Sequence, residues 1–127
     1  MNESRFQTQL KKSLVSKGFL VWVIADAFTS GIPDLFIAKD GKAQWLELKV
    51  IDCDDDEKVI HLADEKSSAR GFERAQVIKL YELNQVGIES FGVCYLANEG
   101  YSVRVDYDIM DESKKYKDIK KLPRFDY

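Results

Sequence analysis

Apolar residues recur along this chain with two different periods, and the periods divide it into elements. Phe6, Leu10 and Leu14 repeat every four residues, which predicts a helix over residues 3–17, with Gly18 placed just past its end. Ser4-Arg5-Phe6-Gln7 reads as a capping box, with Ser4 at the N-cap and Gln7 at N3. The run Phe19–Ala25 is strand-sized and predicts a strand over 19–25. Two further apolar runs predict strands over 34–39 and 43–51. They are separated by Lys39-Asp40-Gly41-Lys42, and an Asp-Gly pair between apolar runs signals a two-residue hairpin turn. A helix is predicted over 72–86, ending at Gly87, then strands over 90–97 and 101–107 with Asn98-Glu99-Gly100 as the turn between them. The expected fold class is α/β, with a mixed central sheet flanked by helices. The strand after the second helix can join parallel to its neighbour.

The hairpin fixes a register. If Asp40-Gly41 is the turn, Lys39 faces Lys42, and facing residues have numbers that sum to 81. Asp34 then faces Glu47, and Lys49 shares their side of the sheet because strand side chains repeat every second residue. Asp34, Phe36, Ala38, Ala43, Trp45, Glu47 and Lys49 point one way. Leu35, Ile37, Leu46, Leu48 and Val50 point the other way, a set apolar enough to pack on a helix. Charges on a strand are ordinarily just a solvated face. Two facing carboxylates, however, repel, and they resist joint ionisation unless a cation lies between them. The pair makes sense as a metal site for a hard ion such as Mg²⁺.

At these residues the chain resembles the PD-(D/E)xK nuclease superfamily, and in particular its VRR-NUC and Holliday-junction-resolvase-like branch. Gly31, Pro33, Asp34, Glu47, Lys49, Gln76 and Gly87 match that branch in order, and the similarity runs from about residue 3 to residue 97. The resemblance implies a restriction-endonuclease-like core and an Mg²⁺- or Mn²⁺-dependent endonuclease acting on DNA. It implies Asp34 and Glu47 as metal ligands, with the Leu48 carbonyl as an extra ligand and Lys49 beside the attacking water. Gln76 shares a helix face with Phe72, Leu80 and Leu83. The resemblance makes it a positioning residue, and the bland alternative is an amide capping a backbone group in the core. Many relatives carry an acid on the first helix near the metal. Glu3 is the one acid in residues 1–25, and a first-turn dipole role is an equal alternative for it. The resemblance also implies branched DNA, such as four-way junctions and flaps, as substrate, and a homodimer. Two rival readings stay open: a catalytically silent nuclease-fold module that binds nucleic acid or protein, and a nuclease subunit that needs a protein partner.

Composition bounds these readings. The chain has 127 residues, 45% of them hydrophobic and 12% aromatic, which suits one packed domain. That domain is expected over residues 1–107, followed by a basic tail over 108–127. No apolar run is long enough to span a bilayer, and the first residues lack a signal-peptide apolar stretch. The two cysteines, Cys53 and Cys94, have no metal-ligand spacing and fit a reduced, cytoplasmic protein. The net charge of −3 and pI near 5.2 count against gripping DNA by bulk charge. Positive charge is local instead. Lys114, Lys115, Lys117, Lys120 and Lys121 crowd the tail, and Lys11, Lys12 and Lys17 form a smaller group on the first helix. The tail is either a solvated end or an arm that tracks phosphates. Ser30 is either a phosphate contact or a turn residue. The long connection over 52–71 opens on an acidic stretch, Asp52-Cys53-Asp54-Asp55-Asp56-Glu57, expected to be a solvated turn. It is not an EF-hand loop, because its sixth position is Glu57 rather than Gly. His61, within this connection, is expected to be structural.

Overall fold

A computed structural model of the chain describes residues 1–24, 31–63 and 72–126. The elements are α1 (Glu3–Ser16), β1 (Leu20–Val23), β2 (Leu35–Lys39), β3 (Lys42–Ile51), β4 (Val59–His61), α2 (Arg74–Gln85), β5 (Ser90–Leu96), β6 (Tyr101–Val105), a 3₁₀ turn (Tyr107–Ile109), β7 (Ser113–Lys115) and α3 (Tyr116–Ile119). Five strands form a mixed sheet in the order β1-β2-β3-β5-β6. β3 and β5 are parallel, joined by a connection that carries α2, and the other pairs are antiparallel.

The β2–β3 hairpin has the register its turn dictates. Lys39 pairs with Lys42 and Leu35 with Leu46. Asp40 and Gly41 both have positive φ, 53° and 79°, the backbone of a type I′ turn, whose twist matches that of the flanking strands. One face of the sheet packs on α1. Phe6, Leu10 and Leu14 meet Leu35, Ile37, Leu46, Leu48, Phe91 and Val93 in one buried cluster. Each fully buried side chain of this kind contributes about 1.5–3 kcal/mol of transfer free energy. The opposite face carries Ile51, Cys94 and Val103 and packs on α2 through Val77 and Leu80.

Three details differ from the expectations. The N-cap of α1 is Asn2 rather than Ser4: Asn2 Oδ1 accepts the Arg5 N–H at 2.9 Å, which makes Glu3 the first residue of the helix. The connection over 52–71 is not irregular throughout. Val59–His61 form β4, which pairs antiparallel with β7 more than fifty residues later, Val59 opposite Lys115. The acidic stretch is not simply solvated either, because Glu57 and Asp56 hold lysines of the chain's last segment.

That segment is built into the domain. Tyr116 and Ile119 are buried in the same cluster as Leu80 and Val103. The Arg104 N–H donates to the Pro123 carbonyl at 2.7 Å, and the Phe125 N–H to the Ser102 carbonyl at 3.0 Å. No helix among the described residues is long and apolar enough to cross a membrane.

Candidate active site

Asp34 immediately precedes the first paired residue of β2, so the register continues to place it opposite Glu47. Its approach is shaped upstream. Gly31 has φ of 83°, and a Cβ there would lie 2.4 Å from the Ala75 carbonyl oxygen in the first turn of α2. Only glycine suits both the backbone and the space. Pro33 is buried next to it, and the Asp34 carbonyl accepts the Ile24 N–H at 2.9 Å. The Asp34 side chain turns toward β3, where Oδ2 accepts the Leu48 N–H at 2.8 Å.

Glu47 lies in the middle of β3 and is 1% exposed. Two features flank it. On β5 its neighbour is Gly92, where a Cβ would come within 2.5 Å of Phe72 Cζ; the missing side chain admits the Phe72 ring. On the helix side stands Gln76, whose Nε2 donates to Glu47 Oε1 at 2.7 Å. The same amide uses its Oε1 to accept the Glu73 N–H at 2.8 Å at the start of α2. Gln76 thus both caps the helix and holds the carboxylate, which unites the two roles its position allows.

Glu47 Oε2 is buried and accepts no hydrogen bond among the described residues. Burial, followed by the neighbouring Asp34 carboxylate, pushes the Glu47 pKa up to about 10; Lys49 opposes the shift. Protonated, Glu47 shares its proton with Asp34; ionised, it leaves Oε2 facing no donor among the described residues. An orphaned oxygen on a carboxyl group that cannot ionise by itself, beside a second carboxylate, fits a hard divalent cation. That ion would take the place of the proton. Asp34 and Glu47 are the side chains that could hold it.

Lys49 is 8% exposed and pairs across β3–β5 with Cys94. Its Nζ lies 3.7 Å from Glu3 Oε1, so the first residue of α1 reaches the site. Glu3 faces the ammonium rather than closing on the carboxylate pair. Among the described residues, no three His, Cys, Asp or Glu side chains form a metal cage. Ser30 lies outside the described residues.

The lysines of the last segment stand apart from this centre. Lys115 and Lys117 both contact Glu57, at 2.8 and 2.9 Å, Lys120 contacts Asp56 at 2.6 Å, and Lys114 contacts Glu112 at 3.1 Å. Lys121 is exposed. His61 Nδ1 lies 2.7 Å from the Ser113 hydroxyl in the β4–β7 ribbon. Sequence reasoning passed over Gly92 and placed Phe72 on the second helix, whereas α2 begins at Arg74 and Phe72 lies before it, bridged to Ala63. A glycine in the middle of an apolar strand is the signal for a close approach, and here Phe72 lies against Gly92, the strand partner of Glu47.

With this geometry in view, the architecture is a restriction-endonuclease-like α/β core, a mixed sheet with helices on both faces. The chain is similar in structure to a Holliday-junction resolvase from the archaeal hyperthermophile Archaeoglobus fulgidus. The TM-score is 0.59 at 18% identity, covering 88% of this chain and 83% of that one. No family model matches the sequence, and no curated protein matches it.

Proposed function

We propose that this protein is an Mg²⁺- or Mn²⁺-dependent endonuclease that hydrolyses DNA phosphodiester bonds. The observation that carries the reading is the buried Glu47, with one oxygen held by Gln76, the other facing no donor among the described residues, and the Asp34 carboxyl alongside. A structural strand pair has no use for that arrangement. When bound, the metal would polarise the scissile phosphate and supply a hydroxide near neutral pH. Asp34 and Glu47 would hold it, with the Leu48 carbonyl as a further ligand.

The chain's own side chains divide the remaining work. Lys49, nearly buried, offers a preorganised cation where negative charge grows on the phosphorus, and there a fixed charge is worth most. Glu3 holds that ammonium in reserve while no phosphate is present. Gln76 fixes the rotamer of Glu47 from a rigid helix end, so the ligand geometry does not depend on a mobile side chain.

Branched DNA is the proposed substrate class, supported by the structural likeness to a junction resolvase. A homodimer is proposed with it, because symmetric cutting of two strands favours two-fold symmetry. Edge strand β1 offers a surface for it, on the face away from α1: Leu20 and Trp22 are 50% and 55% exposed. Trp22, Phe36 and Trp45 form an aromatic row leading from that edge toward Glu47, with ring centroids 5.2 and 5.1 Å apart. The two cysteines are buried and unpaired, which suits a reducing, cytoplasmic setting.

The test is a cleavage panel of linear, nicked, flapped, four-way and single-stranded DNA in Mg²⁺, Mn²⁺ or EDTA. Metal-dependent cuts that favour the branched forms support the reading. Binding without cleavage in every metal replaces it with a silent nuclease-fold module. Neither binding nor cleavage points to a subunit that lacks its partner.

A further inference from the structure

We infer that the DNA strand leaving the active site runs along the outer face of α1, held at its phosphates by Arg5, Lys11 and Lys12. The inference rests on the nuclease reading above and assigns the surface that grips the substrate.

The first ground is where positive charge is free. With a net charge of −3, the protein cannot hold DNA by its overall field, so its affinity must come from a local track. The richest cluster of lysines, at the chain's end, is largely spent: Lys114, Lys115, Lys117 and Lys120 are each in contact with an acid. Arg5, Lys11 and Lys12 are exposed and make no ion pair among the described residues.

The second ground is helical geometry. Phe6, Leu10 and Leu14 point α1 into the core. Arg5 and Lys12 are seven residues apart, two turns of one outward ridge, and Lys11 stands about 100° round the helix from Lys12, on the side of the groove described next. The single acid of this helix, Glu3, is engaged with Lys49, so its exposed surface carries these three cations and no free carboxylate.

The third ground is a groove of about 600 Å³ between this face and edge strand β1, lined by Gln7, Thr8, Lys11, Lys12 and Ser16, with Val15 and Val23 as its apolar wall. Amide, hydroxyl and ammonium groups together are what phosphate and sugar oxygens recognise, with no information about base sequence. The groove also has a defined origin. Glu3 touches Lys49, so the N-terminal end of α1 begins at the active site. Its 14 residues then extend about 20 Å away, the length of roughly six nucleotides at 3.4 Å per step of one strand.

The experiment is a fluorescence-anisotropy titration of a labelled DNA duplex against salt, in Mg²⁺. It uses Glu47→Gln protein, which on the nuclease reading holds DNA uncut. Adding Arg5→Gln, Lys11→Gln and Lys12→Gln should lower the slope of log Kd against log salt by about 2–3, close to one unit per lost phosphate contact. Adding Lys115→Gln and Lys117→Gln instead should leave the slope where it was. The α1 substitutions are all at exposed positions, and a thermal melt confirms that the protein is folded. An unchanged slope in the α1 variant overturns the inference and leaves the cleavage reading standing. Anionic vesicles that bind through these residues while duplex DNA does not also overturn it, in favour of a membrane surface. Duplex cut by Glu47→Gln protein overturns the assignment of the active site instead, and the slope comparison then decides the track on uncleavable phosphorothioate DNA.

Discussion

Gln76 uses both ends of one amide: its oxygen accepts the Glu73 N–H at 2.8 Å, and its nitrogen donates to Glu47 Oε1 at 2.7 Å. The start of α2 and the orientation of Glu47 are therefore set by one side chain. Gln76→Ala should cost about 1 kcal/mol of stability, the usual cost of a lost cap. It should lower kcat of DNA cleavage with little change in KM. Denaturant melts and steady-state cleavage separate the two effects. A variant that loses the stability and keeps full kcat reduces Gln76 to a cap.

Glu47 also makes stability depend on pH. Its folded pKa, up to about 10, lies above the value of 4.5 expected of the unfolded chain, because burial and then Asp34 favour the protonated form. Between those values the folded state binds more protons than the unfolded one, so stability should fall as pH rises through that window. Glu47→Gln removes the ionisation and should flatten the dependence, leaving the metal-free variant more stable than wild type at the alkaline end. Denaturation midpoints across the window, in EDTA, check this. A wild-type profile as flat as that of the variant contradicts the buried proton.

Gly31 is the tightest point between the Pro33-Asp34 turn and α2. Gly31→Ala forces a left-handed residue to carry a Cβ 2.4 Å from a backbone oxygen. The expected loss is about 1–3 kcal/mol, with Asp34 displaced and cleavage reduced alongside. Cleavage should fall at temperatures where the variant is still fully folded, as judged by circular dichroism.

Tyr116 tests the place of the last segment in the core. It is 1% exposed, and its hydroxyl has no hydrogen-bond partner among the described residues. Tyr116→Phe should be neutral or stabilising by up to about 1 kcal/mol, since it removes a buried unsatisfied group. Tyr116→Ala should cost roughly 3–5 kcal/mol, like other buried aromatics cut back to alanine. By the same logic, removing residues 113–127 should unfold the domain rather than trim a dispensable arm.

The hairpin was readable because its information is local. Asp40-Gly41 dictates a turn, the turn dictates a register, and the register carries Asp34 to Glu47. The helix faces were readable because Phe6, Leu10 and Leu14 keep a strict period. The β4–β7 ribbon was not readable. Val59–His61 is too short to show a period, and it becomes a strand only by pairing with residues more than fifty positions away. The burial of Glu47 was hidden for a similar reason. Glu47 is partnered across the sheet by Gly92, against which Phe72 packs, and from the helix by Gln76, and no local pattern links these segments. Asn2 was missed as the cap because Ser4 and Gln7 have the same spacing as a capping box; the helix simply starts earlier.

The central claim is that Asp34 and Glu47 form one metal-dependent hydrolytic site. Its most direct test is cleavage of four-way junction DNA in Mg²⁺ by wild type and by Glu47→Ala, on protein whose fold is confirmed by a thermal melt. The expected result is metal-dependent cutting by wild type, abolished by EDTA and absent in Glu47→Ala. Cutting that persists in Glu47→Ala would contradict the claim.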